Sequence, residues 1–159
     1  MDELTVLTKA MKLEREGKRF YLQAAEASQD PETAGMFKTL AEDEEHHYAY
    51  IERQVNELKA GKGWVHIPEL DQVEAVDAQA PIFPPGKKAP DVLSAKPSLE
   101  DALLFGLDTE IKSYELYKHC AGSIDNPEAQ QMFEKLAAAE RGHFDTLMMR
   151  YESHFGYPR

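Results

Sequence analysis

Leu40-Ala41-Glu42-Asp43-Glu44-Glu45-His46-His47 and, 96 positions later, Leu136-Ala137-Ala138-Ala139-Glu140-Arg141-Gly142-His143 are the stretches on which the reading of this chain turns. Both keep Leu-Ala followed by Glu-x-x-His. The match extends outward at the same offset and without a gap. Glu14, Tyr21, Asp30-Pro31-Glu32 and Met36-Phe37 in the first copy correspond to Glu110, Tyr117, Asn126-Pro127-Glu128 and Met132-Phe133 in the second. Each copy therefore supplies a lone Glu and, thirty residues later, a Glu-x-x-His. Four carboxylates and two imidazoles projecting from four helices form the ligand set of a two-metal carboxylate site inside a helical bundle.

The helical reading rests on period and punctuation. Leu4, Leu7, Ala10-Met11, Phe20-Tyr21 and Ala24-Ala25 recur at three- and four-residue spacing, which predicts a first helix from Leu4 to about Ala27. Asp30-Pro31-Glu32 is a helix start. Asp can cap, Pro fits the first turn where its missing N–H is not needed, and Glu favours the positive end. The second helix is expected from Pro31 to about Ala60, closed by Gly61 and Gly63. Ser98 resembles an N-cap for the third helix, which runs to about Ser123. Asn126-Pro127-Glu128 repeats the earlier break, and the fourth helix ends near His154, with a frayed tail. Two hairpins, 3–60 and 98–155, flank a connection at 61–97 that holds six of the nine prolines. Those prolines forbid a long helix, although a short turn at Leu70–Val76 is allowed. So long a connection has a purpose if it crosses the bundle from one hairpin to the next. Trp64, Val65, Ile67, Ile82 and Phe83 are then expected to pack on the bundle surface. The fold class is all-α.

Spacing brings the candidate ligands together. Glu44 with His47, and Glu140 with His143, stand at i and i+3 on one helix face, about 5 to 6 Å apart. Glu14 lies sixteen residues before Asp30 and Glu44 fourteen after it. At about 1.5 Å per residue, antiparallel helices carry these two carboxylates to nearly the same height. Glu110, Asn126 and Glu140 repeat that arithmetic. Oxygen and imidazole donors together suit iron, manganese or zinc. A single Glu-x-x-His on an acidic helix is ordinarily a solvated face, and duplication alone can preserve scaffold. Surface positions nevertheless differ between the copies (Glu42 against Ala138, Glu45 against Arg141, His46 against Gly142), whereas the six candidate ligands do not. Tyr21 and Tyr117 follow the lone Glu by seven residues, about 10 Å of rise. They are too far to touch it, and are placed either to donate to a carboxylate on a facing helix or to form an aromatic core layer. His46 is expected in solvent. Cys120, Met36 and Met132 are expected to pack.

Composition narrows the classes. A length of 159 residues suits one domain with a real core. A net charge of −11 disfavours nucleic acid and anionic membrane surfaces, whose partners must be basic, and is also a common solubility feature. One cysteine excludes an intramolecular disulfide and a cysteine-rich metal centre. The N-terminal sixteen residues lack the pattern of a signal peptide, and no apolar run is long enough to span a membrane. The expected location is cytoplasmic.

At Glu14…Tyr21…Glu44-Glu45-His46-His47 and its repeat the chain resembles the rubrerythrin branch of the ferritin-like superfamily. The resemblance covers both hairpins and implies a single ferritin-like four-helix domain over 1–159. It also implies two non-haem iron ions, bridged by Glu44 and Glu140, with Glu14, His47, Glu110 and His143 terminal. Two features depart from that family's pattern. Nothing here can form the four-cysteine iron domain that delivers electrons in rubrerythrins proper. The extra Glu near the third helix's lone Glu is also missing, since Leu107 and Ser113 flank Glu110 at minus and plus three. The long crossover and the lack of a fifth helix argue against a storage cage. The leading expectation is an oxidoreductase that reduces hydrogen peroxide or dioxygen with an external electron donor. The alternatives are an iron-handling protein (ferroxidase, buffer or sensor) and a structural module that keeps its ligands for stability. The acidic helices and apolar crossover suggest a homodimer, with exchange of hairpins permitted by the linker.

Overall fold

The computed structural model describes residues 2–74 and 79–156. Four helices carry the fold: α1 (Glu3–Ala27), α2 (Pro31–Lys59), α3 (Leu99–Ser123) and α4 (Pro127–Phe155). The caps form as their sequences require. Asp30 accepts from Thr33 N at 3.2 Å and from the Thr33 hydroxyl at 2.7 Å. Asn126 accepts from Glu128 N and Ala129 N at 2.9 and 3.1 Å. Ser98 accepts from Asp101 N at 3.1 Å. Each bond satisfies a donor that the first turn of a helix leaves unpaired. At the other end of α2, Gly61 takes φ +78°. Gly61 N then reaches Leu58 O and Lys62 N reaches Glu57 O, a Schellman closure that the left-handed glycine makes possible.

Two apolar clusters fill the bundle, one towards each end. Towards one end Leu7, Ala10, Ile51 and Val55 meet Tyr117, Cys120, Ile124, Met132 and Phe133. Towards the other Phe20, Tyr21, Phe37 and Leu40 meet Leu103, Leu107, Phe144 and Leu147. The clusters alternate which hairpin contributes its turn, so the two hairpins point in opposite directions. Cys120 is buried, and burial raises its thiol pKa, in keeping with a small packed residue. Met132 is buried and Met36 half-buried against the opposite cluster.

The crossover follows from this arrangement, because α2 ends at one end of the bundle and α3 must begin at the other. Trp64, Val65, Ile67 and Leu70 pack on the first cluster, and Phe83, Ala89 and Leu93 on the second. A short 3-10 helix spans Pro68–Gln72, with Leu70 buried beneath it. It replaces the expected turn at Leu70–Val76, whose last two residues lie outside the described ones, as do Tyr157–Arg159 of the tail. The expectation for Ile82 fails: it is 71% exposed, and its neighbours Phe83 and Pro84 face the bundle instead. Among the described residues no helix is long and apolar enough to cross a membrane.

Gln54 pins the start of the crossover. It is fully buried, its side-chain nitrogen donates to Gly63 O at 2.9 Å, and its oxygen accepts from Val65 N at 2.9 Å. Gln54→Leu would keep the volume and lose both bonds. Leaving buried polar backbone unpaired is expected to cost about 1 to 3 kcal/mol. Chemical denaturation checks the loss, and faster amide exchange at Val65 locates it.

Candidate metal centre

Between the two apolar clusters lies a single polar layer. Glu14 from α1, Glu44 and His47 from α2, Glu110 from α3, and Glu140 and His143 from α4 are all at most 6% exposed. Their donor atoms fall into two groups, each with all atoms within 4.8 Å of one another: Glu14, Glu44, His47 and Glu140, and Glu44, Glu110, Glu140 and His143. Glu44 and Glu140 belong to both. The structure thus brings all six sequence candidates together, with one lone Glu and one His on either side of a shared pair of carboxylates.

The two tyrosines organise this layer from opposite directions. Tyr21 on α1 donates to Glu110 Oε1 on α3 at 2.5 Å, and Tyr117 on α3 donates to Glu14 Oε1 on α1 at 2.5 Å. Neither touches the Glu of its own helix. Each ring also stacks on its hairpin's phenylalanine, Tyr21 on Phe37 and Tyr117 on Phe133, at 6.1 Å in both cases. Donor and core-layer roles are therefore combined in the same side chain. Burial, then the surrounding carboxylates, raises both phenols well above their ordinary pKa, which keeps them neutral donors.

The tyrosines occupy Oε1 of Glu14 and Glu110 and leave Oε2 of each without a hydrogen-bond partner. Glu44 Oε1, Glu140 Oε2 and His143 Nδ1 are likewise buried and unpartnered. Among the described residues only one further buried side-chain polar atom, Trp64 Nε1, is in that condition. Buried polar atoms are normally satisfied, so five orphans converging on one layer identify a place built to hold something. His143 Nδ1 lies 2.9 Å from Glu44 Oε1 without the alignment that a hydrogen bond requires. The two atoms share a target rather than bond each other. The hard oxygens and imidazole nitrogens present fit divalent metal ions.

Without metal, the layer must neutralise itself. Burial, then the charges of Glu14 and Glu110, pushes Glu44 well above the usual carboxylate range. Burial, then Glu110, Glu14 and Glu44, does the same to Glu140. Burial works to raise Glu14 too, but the Glu44 carboxyl, His47 and Tyr117 outweigh it and hold Glu14 at about 2. His143 also runs against its burial, because Glu110 and Asp43 stabilise the imidazolium and raise its pKa well above the usual value. Protons on the shared carboxyls and on His143 stand in for the missing positive charge.

Two contributors escaped the sequence reading. Gly17 lies one turn beyond Glu14, and a Cβ there would come within 3.0 Å of Glu44 Oε2. A glycine inside a helix is the available signal, since it costs helix stability and so implies a close approach. Asp43 Oδ2 stands 3.1 Å from His143 Nε2. The matching position is Ala139, so the difference between the copies was its only trace. The flanking positions Leu107 and Ser113 are both buried and bring no carboxylate to the layer. His46 is exposed, as its place on the helix predicts.

These protonation states make the metal-free chain pH-sensitive in a definite direction. Groups with raised native pKa stabilise the fold fully below their unfolded values, which are 4.5 for Glu44 and Glu140 and 6.5 for His143. That stabilisation is lost as pH rises through the elevated native values. The metal-free protein is therefore expected to melt lower at about pH 8 than at about pH 5. Thermal melts across that range check the slope; a flat or rising profile contradicts it. Metal addition should release protons into weak buffer and raise the melting temperature most at high pH.

The rubrerythrin family profile matches residues 5–151. No significant match was found among curated proteins or among solved structures. The family match runs from α1 into the last turns of α4 and takes in both halves of the repeat, so the chain belongs to the rubrerythrin family.

Proposed function

We propose that this chain is a non-haem di-iron oxidoreductase that reduces hydrogen peroxide or dioxygen with electrons from an external donor. The observation that carries the reading is the sharing of Glu44 and Glu140 between two buried ligand groups, which supplies two adjacent metal positions rather than one. A ferrous pair held by these residues would supply two electrons together, the number that reduces hydrogen peroxide to water or dioxygen to peroxide.

The chain's own part is positioning. Glu44 and Glu140 set the spacing of the two positions, and Glu14 and Glu110 close the outer sides. Tyr21 and Tyr117 fix the lone glutamates so that one oxygen of each points inward. His47 and His143 face each other across the layer, ring centroids 5.7 Å apart and 16° from parallel, and give each position one nitrogen. The apolar clusters on either side admit little water, so charge at the layer is strongly felt. The tyrosine hydroxyls remain protonated, so each keeps its single proton on the outer oxygen of a lone glutamate.

A second reading, iron handling without sustained turnover, draws support from Ser113, which leaves the layer short of the extra carboxylate noted above. The two separate by turnover. Anaerobic protein loaded with Fe(II) is expected to be oxidised by peroxide faster than free Fe(II), and to repeat the cycle when a reductant is supplied. Glu44→Ala with His143→Ala should remove that reaction. Oxidation that stops after one stoichiometric round despite reductant assigns the protein to iron handling, and oxidation no faster than free iron sinks both readings.

A further inference from the structure

The repeat breaks its own symmetry at one point beside the metal layer. Asp43 precedes Glu44 on α2, and its Oδ2 lies 3.1 Å from His143 Nε2 on α4. A carboxylate can only accept, so the ring must offer it Nε2–H. In the neutral ring the other nitrogen, Nδ1, is then the one with a free lone pair. It faces the layer, 2.9 Å from Glu44 Oε1, 3.4 Å from Glu110 Oε1 and 3.8 Å from Glu140 Oε2. Tautomer and ring direction are thereby set by a single contact, and both suit metal ligation.

His47 lacks the equivalent. Its Nδ1 also faces the layer, 3.0 Å from Glu140 Oε1 and 3.6 Å from Glu14 Oε2. Under the repeat the position matching Asp43 is Ala139, which has no polar side-chain atom. What orients the His47 ring is the hydrogen bond between Nδ1 and Glu140 Oε1, together with packing against Tyr50 at 6.4 Å and His143 at 5.7 Å. That bond engages the nitrogen a metal would use, and among the described residues no hydrogen bond holds the outer nitrogen.

We propose that Asp43 is a positioning residue that makes the two metal positions unequal, with the position served by His143 the tighter and the first to fill. The proposal rests on the reading of the six buried residues as a two-metal centre. An outer carboxylate fixes the ligating imidazole and strengthens it as a donor, whereas a ring whose outer nitrogen has no partner is held only by a contact at the nitrogen that metal must take. Asp43 is itself 43% exposed at its side chain, so removing it empties no part of the core.

Calorimetric and absorption titrations of the metal-free protein with Co(II), a probe that needs no reductant, test this. Wild type is expected to fill in two distinguishable steps. Asp43→Ala should weaken the tighter step by about 10- to 100-fold, the usual effect of removing an outer partner of a ligating histidine, and leave the weaker one in place. Asp43→Asn, which keeps an acceptor without the charge, should recover part of the loss. Ala139→Asp, which offers His47 a carboxylate, should strengthen the weaker step and bring the two together. Nitrogen NMR of the metal-free imidazoles, recorded above the raised pKa of His143, gives a readout that a merely structural role would not move: the neutral His143 ring in the Nε2–H form in wild type, and a tautomer mixture in Asp43→Ala. Two equal steps in wild type, or equal weakening of both in Asp43→Ala, would overturn the inequality while leaving the centre intact. Failure of Co(II) to bind at all would remove the two-metal reading and this one with it.

Discussion

Four carboxylates held in one dry layer are the constraint around which the rest of this molecule is arranged. Four like charges within a few ångströms of one another cannot coexist in a low dielectric without compensation. The chain meets the problem at several levels. Neutral tyrosines reach across the bundle to occupy one oxygen of each lone glutamate. The shared pair, Glu44 and Glu140, takes up protons when no cation is present. The bulk of the hydrophobic core is divided into two clusters on either side, so packing closes the bundle without needing the polar layer to do so. A bundle stabilised mainly at its two ends can carry an unfavourable middle.

What was legible in the sequence follows from how far each interaction reaches. The helix starts at Asp30-Pro31 and Asn126-Pro127 are local devices, completed within three residues, and they form as written. The six buried Glu and His residues were legible because helical period and equal arm length are arithmetic that survives folding. The tyrosines were half legible: the seven-residue spacing excluded contact with the near Glu, but only the crossing of α1 and α3 could name Glu110 and Glu14 as acceptors. Prolines announced that 61–97 is not a long helix, yet nothing in them says which residues touch the bundle. Phe83 won that competition over Ile82. Gln54 was invisible for a similar reason, since its partners are backbone groups of an irregular segment. Asp43 lies a hundred residues from His143 in the chain, and no periodicity links them.

Reciprocity is the other organising idea. The three hydrogen bonds within the layer all join one hairpin to the other: Tyr21 to Glu110, Tyr117 to Glu14 and His47 to Glu140. Neither hairpin holds a complete set of donors for either ligand group. The layer therefore exists only as the product of docking, and whatever occupies it acts as a clamp between two halves that the apolar clusters and one extended connection also join.

That connection has a consequence for what the layer is able to become. Two identical hairpins meeting as separate chains would build the same six-residue arrangement, but any residue gained on one side would arrive on both. Asp43 opposite Ala139 is a pairing that strict identity forbids. By tethering the halves, the crossover gives each its own mutational history, so one inherited pattern can be tuned independently on its two sides. The segment with the least regular structure is thus the part that allows a mirrored scaffold to acquire a left and a right.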